Sequence, residues 1–295
     1  MTIATKTNGF PGVAEGMKLL GEVITWDCSS ITVRHLDLID ALSGAELDES
    51  VARELAPRHA FTRACKKLAQ QRIIRQVAED ADTIRFQFTA EHKDGDRFSY
   101  DFETLLTLNK TTGKVTCELA GLATLAQEEL DRCIAHRTGG DITRIVQRLF
   151  ERKADLFPIR EKGAAYFVPQ VHVGFVDRVQ TFLVKLNGRL NRFPVPSGTP
   201  QGDRSVKEAV ATGIQELIDE HHEAIASFGE DTRASTVQRT AERIRLTRHK
   251  TAAYAEYLAS EREKLERDLA EASQELREKV ERLSESRCAP EAAVG

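Results

Sequence analysis

The sequence predicts an α+β protein, with helices around an antiparallel β-meander and a long helical region at the end of the chain. Two observations predict this class. Residues 83–119 alternate apolar and polar side chains across two turn signals, which is the period of half-buried strands. Residues 205–284 instead place apolar side chains at helical spacing. A chain of 295 residues is long enough for more than one domain with its own core.

Three helices are predicted before the meander. The first follows Ser29-Ser30 and ends at Gly44, and the second covers residues 47–56. The third runs from about His59 toward Ile74, and its apolar residues lie on one side at helical spacing. Its cations then fall mainly on the exposed side: Arg63, Lys66 and Lys67.

The meander is predicted from strands at 83–92, 97–108 and 114–119. Asp94-Gly95 is the signal of a tight hairpin, and residues 109–113 supply the second turn. Because aromatic residues alternate with polar ones, we expect the aromatic side to face the core. The alternative is that these rings are exposed and stack on nucleic-acid bases. The aromatic residues are Phe86, Phe88, Phe98, Tyr100 and Phe102.

A short motif occurs twice. HAFTRACKKLAQQ (59–71) and GDITRIVQRLFER (140–152) share Thr-Arg and a Leu five residues later. In both halves a helix, a break and a basic helix precede a β-hairpin, and the second hairpin is predicted to turn at 161–163. That order is the one a winged-helix domain requires, so it suggests tandem winged-helix-like units. The alternative is two ordinary amphipathic helices with solvated basic faces.

The last third of the chain is predicted to be helical. After a helix at 173–186, an edge strand or extended segment at 189–196 and a loop at 197–204, one helix starts at Ser205 and the final one at Ser235. Leucines of the final helix follow a coiled-coil pattern and are predicted to join two copies of the chain: Leu258, Leu265, Leu269, Leu276 and Leu283. The predicted domains are residues 1–120, 121–200 and 201–295.

The net charge is only −4, so any electrostatic footprint for nucleic acid must be local. The densest cluster of cations lies within residues 233–250, on a predicted helix. Such a stripe can neutralise phosphates, or it can pair with the acidic helix at 214–223 of the same chain. The arginines of this cluster that we consider as contacts are Arg239, Arg243, Arg245 and Arg248.

Other chemistries have little support in the sequence. The five cysteines are too scattered for a zinc site or a disulfide framework, and no phosphate-binding glycine loop is present, so no cofactor is predicted. The side chains of His221 and His222 diverge on a helix and do not converge on a metal ion, so they are expected on a solvated helix face. Asp101 and Glu103 on one predicted strand and Lys114 on the next have the composition of a nuclease site, although such charges are common on the exposed side of a sheet.

The leading hypothesis is a non-enzymatic nucleic-acid-binding protein of a bacterium or a mobile element, with DNA favoured over RNA. No secretory signal or membrane span is predicted, so we expect a cytoplasmic protein. The first alternative is an assembly or adaptor protein whose C-terminal helix binds a protein partner. A metal-dependent hydrolase is the second. The predicted nucleic-acid contacts are Arg63, Lys66, Lys67, Arg144, Arg148, Arg239, Arg243, Arg245 and Arg248.

Overall fold

A computed structural model describes residues 18–69, 72–159, 165–258 and 261–288. Helices and antiparallel sheets are mixed along the chain, which confirms the α+β class. The predicted turn at 161–163 lies outside the described residues.

The strands of the described residues fall into three sheets. In chain order they are β1 (Leu19–Asp27), β2 (Thr32–Arg34), β3 (Arg72–Glu79), β4 (Thr83–Asp94), β5 (Arg97–Asn109), β6 (Val115–Thr116), β7 (His136–Thr138), β8 (Phe157–Pro158), β9 (Ala165–Pro169) and β10 (Arg189–Pro196).

The α-helices of the described residues cover most of the rest of the chain. In chain order they are α1 (His35–Ser43), α2 (Pro57–Lys67), α3 (Ala120–Ala135), α4 (Gly139–Lys153), α5 (Val173–Lys185), α6 (Pro200–Ala226), α7 (Ala234–Ala253), α8 (Ala255–Leu258) and α9 (Arg262–Cys288). Single 3-10 turns occur at Glu49–Val51 and Gln170–His172.

The chain divides into two compact units, each built from segments that are distant in sequence. The bundle unit comprises Met1–Trp26, Phe150–Val176 and Leu190–Gly295. The meander unit comprises Asp27–Leu149 and Asp177–Arg189. The predicted boundaries at 120 and 200 divide the chain in linear order, whereas this division pairs separated segments.

In the bundle unit, α6, α7 and α9 pack against one another and share one apolar core with β8 and β9. The sheet of this unit has the order β10-β1-β9-β8, and β1 pairs antiparallel with β9. Helix α6 starts at Pro200, earlier than the predicted Ser205, because proline suits the first helical turn. The predicted single final helix is instead divided into α7, α8 and α9.

In the meander unit, α2 and α3 pack on one side of a sheet with the order β3-β4-β5-β6. Strand β3 was not predicted, since residues 72–74 were assigned to the end of the third helix. The predicted helix at 47–56 is only the 3-10 turn at Glu49–Val51, where the Asp48 side chain accepts a hydrogen bond from the amide of Ser50. Pro57 then begins α2.

The β4–β5 hairpin contains a β-bulge that inverts its two faces. Phe88 pairs with Thr104 and the next residue, Thr89, pairs with Phe102, so Glu103 is the extra residue. One added residue moves the side chains that follow it to the other side of the strand. The prediction that all five aromatic residues face the core is therefore wrong for three of them, which are exposed: Phe98 by 51%, Tyr100 by 54% and Phe102 by 59%.

Candidate nucleic-acid interface

The outward side of the meander sheet carries exposed rings next to exposed cations. Phe98 pairs directly with Lys93, whose Nζ lies 5.6 Å from the ring centroid, so the two side chains share this side. Arg85 lies on the same side of β4, and Arg75 pairs across from Gln87 on the neighbouring strand. We call this surface the aromatic face, and it consists of Phe98, Tyr100, Phe102, Arg75, Arg85 and Lys93.

Acidic side chains are concentrated on the other side of the same hairpin. Asp101 lies 3.5 Å from Nε2 of His92, and Glu103 accepts two hydrogen bonds from Arg72, at 2.5 and 2.8 Å. The hydrogen bonds from Arg72 lower the pKa of Glu103 below its ordinary value. Glu91, across from Tyr100, is the carboxylate that shares the aromatic face. The bulge thus separates most of the negative charge from the rings.

The two copies of the Thr-Arg motif meet at one carboxylate. Arg63 donates two hydrogen bonds to Asp141, at 2.7 and 2.8 Å, and Nη1 of Arg144 lies 3.8 Å from the same carboxylate. Burial raises the pKa of Asp141, but the hydrogen bonds from Arg63 and Thr138 outweigh it and hold that pKa below its ordinary value. Arg63 therefore joins α2 to α4, while Arg144 remains largely exposed, at 61% of its side chain.

Of the remaining predicted cations of the meander unit, one pairs within the chain and two are exposed. Lys67 donates to Glu129 of α3, and the buried Glu129 also pairs with Arg132. Lys66 is exposed. Arg148 is also exposed, and its Nη1 has only a long contact of 3.5 Å to the carbonyl oxygen of Val51. The structure thus leaves Lys66, Arg144 and Arg148 accessible to a ligand, whereas Lys67 helps hold α2 against α3.

The predicted arginines of the bundle unit mostly have partners in their own chain. Arg243 pairs with Glu220 of α6, as the alternative interpretation of this basic cluster predicted. Arg245 pairs with Glu242, one turn earlier on α7. Arg248 donates to the hydroxyl of Ser273 at 3.0 Å. Arg239 lies exposed on the same helix.

The predicted coiled-coil leucines lie in the core of the bundle unit. Leu258, Leu265, Leu269 and Leu276 are at most 7% exposed, and Leu283 is partly buried against the same core. Association of two copies through α9 stays a prediction. It would need side chains other than these four, because they are already buried within the chain.

The expectation of a solvated His221-His222 pair is wrong for His221. That side chain is 1% exposed, and its Nε2 lies 2.9 Å from the hydroxyl of Thr247. Its Nδ1 is buried without a hydrogen-bond partner among the described residues. Burial, with a smaller effect of Arg243, lowers the pKa of His221 to about 4. His222 is partly buried, with 31% of its side chain exposed, and its Nδ1 lies 2.7 Å from a carboxylate oxygen of Glu275.

The nuclease-like group does not converge. Lys114 lies opposite Asn109, whose amide donates to the carbonyl oxygen of Lys114. Asp101 is eight residues farther along β5, or ~27 Å at the rise of a strand. Within the described ranges, no group of three or more His, Cys, Asp or Glu side chains is placed to hold a metal ion.

The fold and these surfaces define a two-unit α+β protein. Over residues 19–287 the chain matches the model of a family described as a family of unknown function, DUF6744, and it belongs to that family. No curated protein and no solved structure matches the chain. Among the helices of the described residues, none is both long and apolar enough to cross a membrane.

Proposed function

We propose that this chain is a non-enzymatic nucleic-acid-binding protein and that its meander unit makes the principal contacts. The observation that carries the proposal is the aromatic face, where rings and cations lie together while Asp101 and Glu103 lie on the other side. Aromatic rings stack on bases, and Arg and Lys side chains neutralise phosphates. A surface that offers both without a dense cluster of carboxylates suits a polyanion with exposed bases.

We extend this proposal to the basic helices, with fewer contact residues than the sequence predicted. Lys66, Arg144 and Arg148 are the exposed members of the predicted contact set in the meander unit, and we assign further phosphate contacts to them. Arg63 and Lys67 hold the helices together instead. We also propose that α2 followed by the β4–β5 hairpin acts as a winged-helix-like unit, with the hairpin as its wing.

The proposal is tested by fluorescence anisotropy with duplex DNA, single-stranded DNA and RNA over a range of salt concentrations. We expect binding that weakens as salt rises, with a slope of about 0.7–0.9 per neutralised phosphate on logarithmic axes. Reversing one charge of the aromatic face, in Lys93→Glu, should weaken binding about tenfold. Arg97→Glu is the matched control, because it makes the same change in charge and Arg97 lies across from Asp94 on the other side of the hairpin. Equal effects of the two changes, or no binding at low salt, would refute the proposal.

An adaptor role is the second candidate, and an open groove in the bundle unit favours it. The groove has a volume of about 880 Å³ and lies between α6 and the α8–α9 region, next to Tyr257 and Lys264. Its lining mixes apolar side chains with both charge signs, as protein-binding surfaces do. Under this proposal a helical partner fills the groove, and α9 is the element through which two copies associate. The first point predicts that Tyr257→Ser abolishes capture of the partner. Light scattering of the full chain tests the second point, the association of two copies.

A further inference from the structure

We infer that the nucleic acid bound on the aromatic face is single-stranded, with its bases stacked on Phe98, Tyr100 and Phe102. This inference rests on the proposed function and narrows it to one class of ligand. It depends on three features of the hairpin: the spacing of the rings, the position of cations near both ends of their row and the excess of carboxylates on the other side.

The spacing of the rings matches a strand whose bases are spread apart. The three residues alternate along β5, so neighbouring rings are attached ~6.8 Å apart along the strand. Bases within one strand of a duplex follow each other at about 3.4 Å, with their flat faces covered by their neighbours. The rings are spaced at twice the distance between stacked bases. Successive bases can therefore each stack on a ring only if the strand is unstacked.

Cations lie near both ends of the row of rings. Lys93 is directly across from Phe98 at one end. Arg85 on β4 and Arg75 on β3 lie on the same side, beyond the other end. Glu91 lies between these two arginines and Lys93. A sugar-phosphate backbone that contacts the cations at both ends can thus place its bases over the rings of β5.

The same hairpin could in principle enter the major groove of a duplex, because beyond Ala90 it is a two-stranded ribbon. Charge argues against that geometry. In a groove both sides of the ribbon face phosphates. Here the tip and the far side carry the one guanidinium of Arg97 against three exposed carboxylates, those of Asp94, Asp96 and Asp101. A single strand laid across the aromatic face touches only the side that bears the rings and Lys93, where Glu91 is the one carboxylate of the ribbon. The distribution of charge therefore favours the single strand.

The test uses the full chain and a labelled single strand of about twelve nucleotides, long enough for one binding face. The same sequence is measured as DNA, as RNA and as a duplex. We expect the better of the two single strands to bind about tenfold or more tightly than the duplex. Tyr100→Leu and Phe102→Leu should each weaken single-strand binding by about tenfold, because they keep an apolar side chain but remove the stacking ring.

Two further variants separate stacking from general effects on the hairpin. Tyr100→Phe keeps the ring and should bind single strands within about twofold of the unchanged protein. Ser99→Ala, on the other side of the same strand, should also leave binding unchanged. Because all three positions are exposed, the thermal unfolding curves of the four variants should coincide with that of the unchanged protein and confirm that each variant is folded.

The other outcomes identify what has failed. Tighter binding to the duplex overturns the single-strand inference but leaves the proposed function standing. Single-strand binding that is unaffected by both leucine variants overturns the assignment of the site. No binding to any nucleic acid, together with self-association or partner capture lost in the leucine variants, overturns both proposals in favour of a protein-docking face.

Discussion

The two halves of the β4–β5 hairpin share one alternating pattern, but the aromatic side chains are buried in one half and exposed in the other. In the half near α2 and α3, Phe86 and Phe88 are at most 4% exposed and belong to the core of the meander unit. In the far half, Tyr100 and Phe102 are more than half exposed. The bulge at Glu103 separates the two halves. Alternation therefore shows that a strand has two different sides, but it does not show which side is covered.

The difference also changes the chemical meaning of the residues. A buried phenylalanine stabilises the fold through the apolar area that it removes from water. An exposed row of aromatic side chains adds little to stability, and it is the kind of surface patch that marks a binding site. The hairpin thus combines a structural half with a half that is available to a ligand.

The largest expected effect compares one ring from each half. Phe88→Ala should lower the free energy of unfolding by about 3–5 kcal/mol, because it leaves a cavity in a fully buried site. Phe102→Ala should change it by no more than about 0.5 kcal/mol. Chemical denaturation of both variants measures the contrast. Similar losses for the two would mean that the far half is covered in solution.

A second comparison sets a buried ion pair against an ion pair of the hairpin. Asp141→Asn should cost about 2–3 kcal/mol, because the Asp141 side chain is only 10% exposed and Arg63 would lose its partner. Glu103→Gln, which breaks the more exposed pair with Arg72, should cost less than about 1 kcal/mol. Denaturation at neutral pH measures both losses, and a reversed order would contradict the view that Asp141 joins the helices.

The pH dependence of the Asp141 contribution has a definite sign. Its pKa in the folded protein lies below the ordinary value of 3.8, so the stabilisation is complete above that value. It is lost as the pH falls through the lowered pKa. Asp141→Asn should therefore narrow the difference in stability between neutral and strongly acidic solution.

The smallest expected effect comes from the buried His221. His221 has a folded pKa of about 4 against an ordinary 6.5, so the unfolded chain binds the proton first. Stability should be complete above about pH 6.5 and fall as the pH drops toward 4, by roughly 2 kcal/mol at pH 5.

Denaturation at pH 7 and pH 5 measures this effect. His221→Gln should reduce the difference in stability between the two pH values. A pH difference that survives in His221→Gln would assign it to other groups.

Much of the fold could be predicted from local patterns. The hairpin at Asp94-Gly95, the helices after Gly139 and before Asn187, and the edge strand before Ser197 all follow from turn residues and periodicity. Strand β3 could not be predicted in this way, since Ile73 and Ile74 suit the end of a helix as well as a strand. The candidate site was harder to predict than the fold, and Arg75, Arg85 and Lys93 are not among the contacts that the sequence predicted.

One signal for the aromatic face was present in the sequence. On the core side of β4, Phe86 and Phe88 are followed by Ala90, His92 and Asp94. A polar continuation of that kind cannot support a core in the far half of the hairpin. The signal lies in the partner strand, however, so it becomes informative only when the pairing of β4 with β5 is known.

The alternation, the turns and the helical periods follow from the sequence alone, because they depend on residues that are near one another along the chain. Three outcomes follow from the packing of the folded chain instead: Arg63 and Arg144 meet at Asp141, the leucines of α9 lie in the core of their own chain, and the far rings are exposed. Those outcomes depend on strand register and helix packing, where a shift of one residue reverses which side chains are buried.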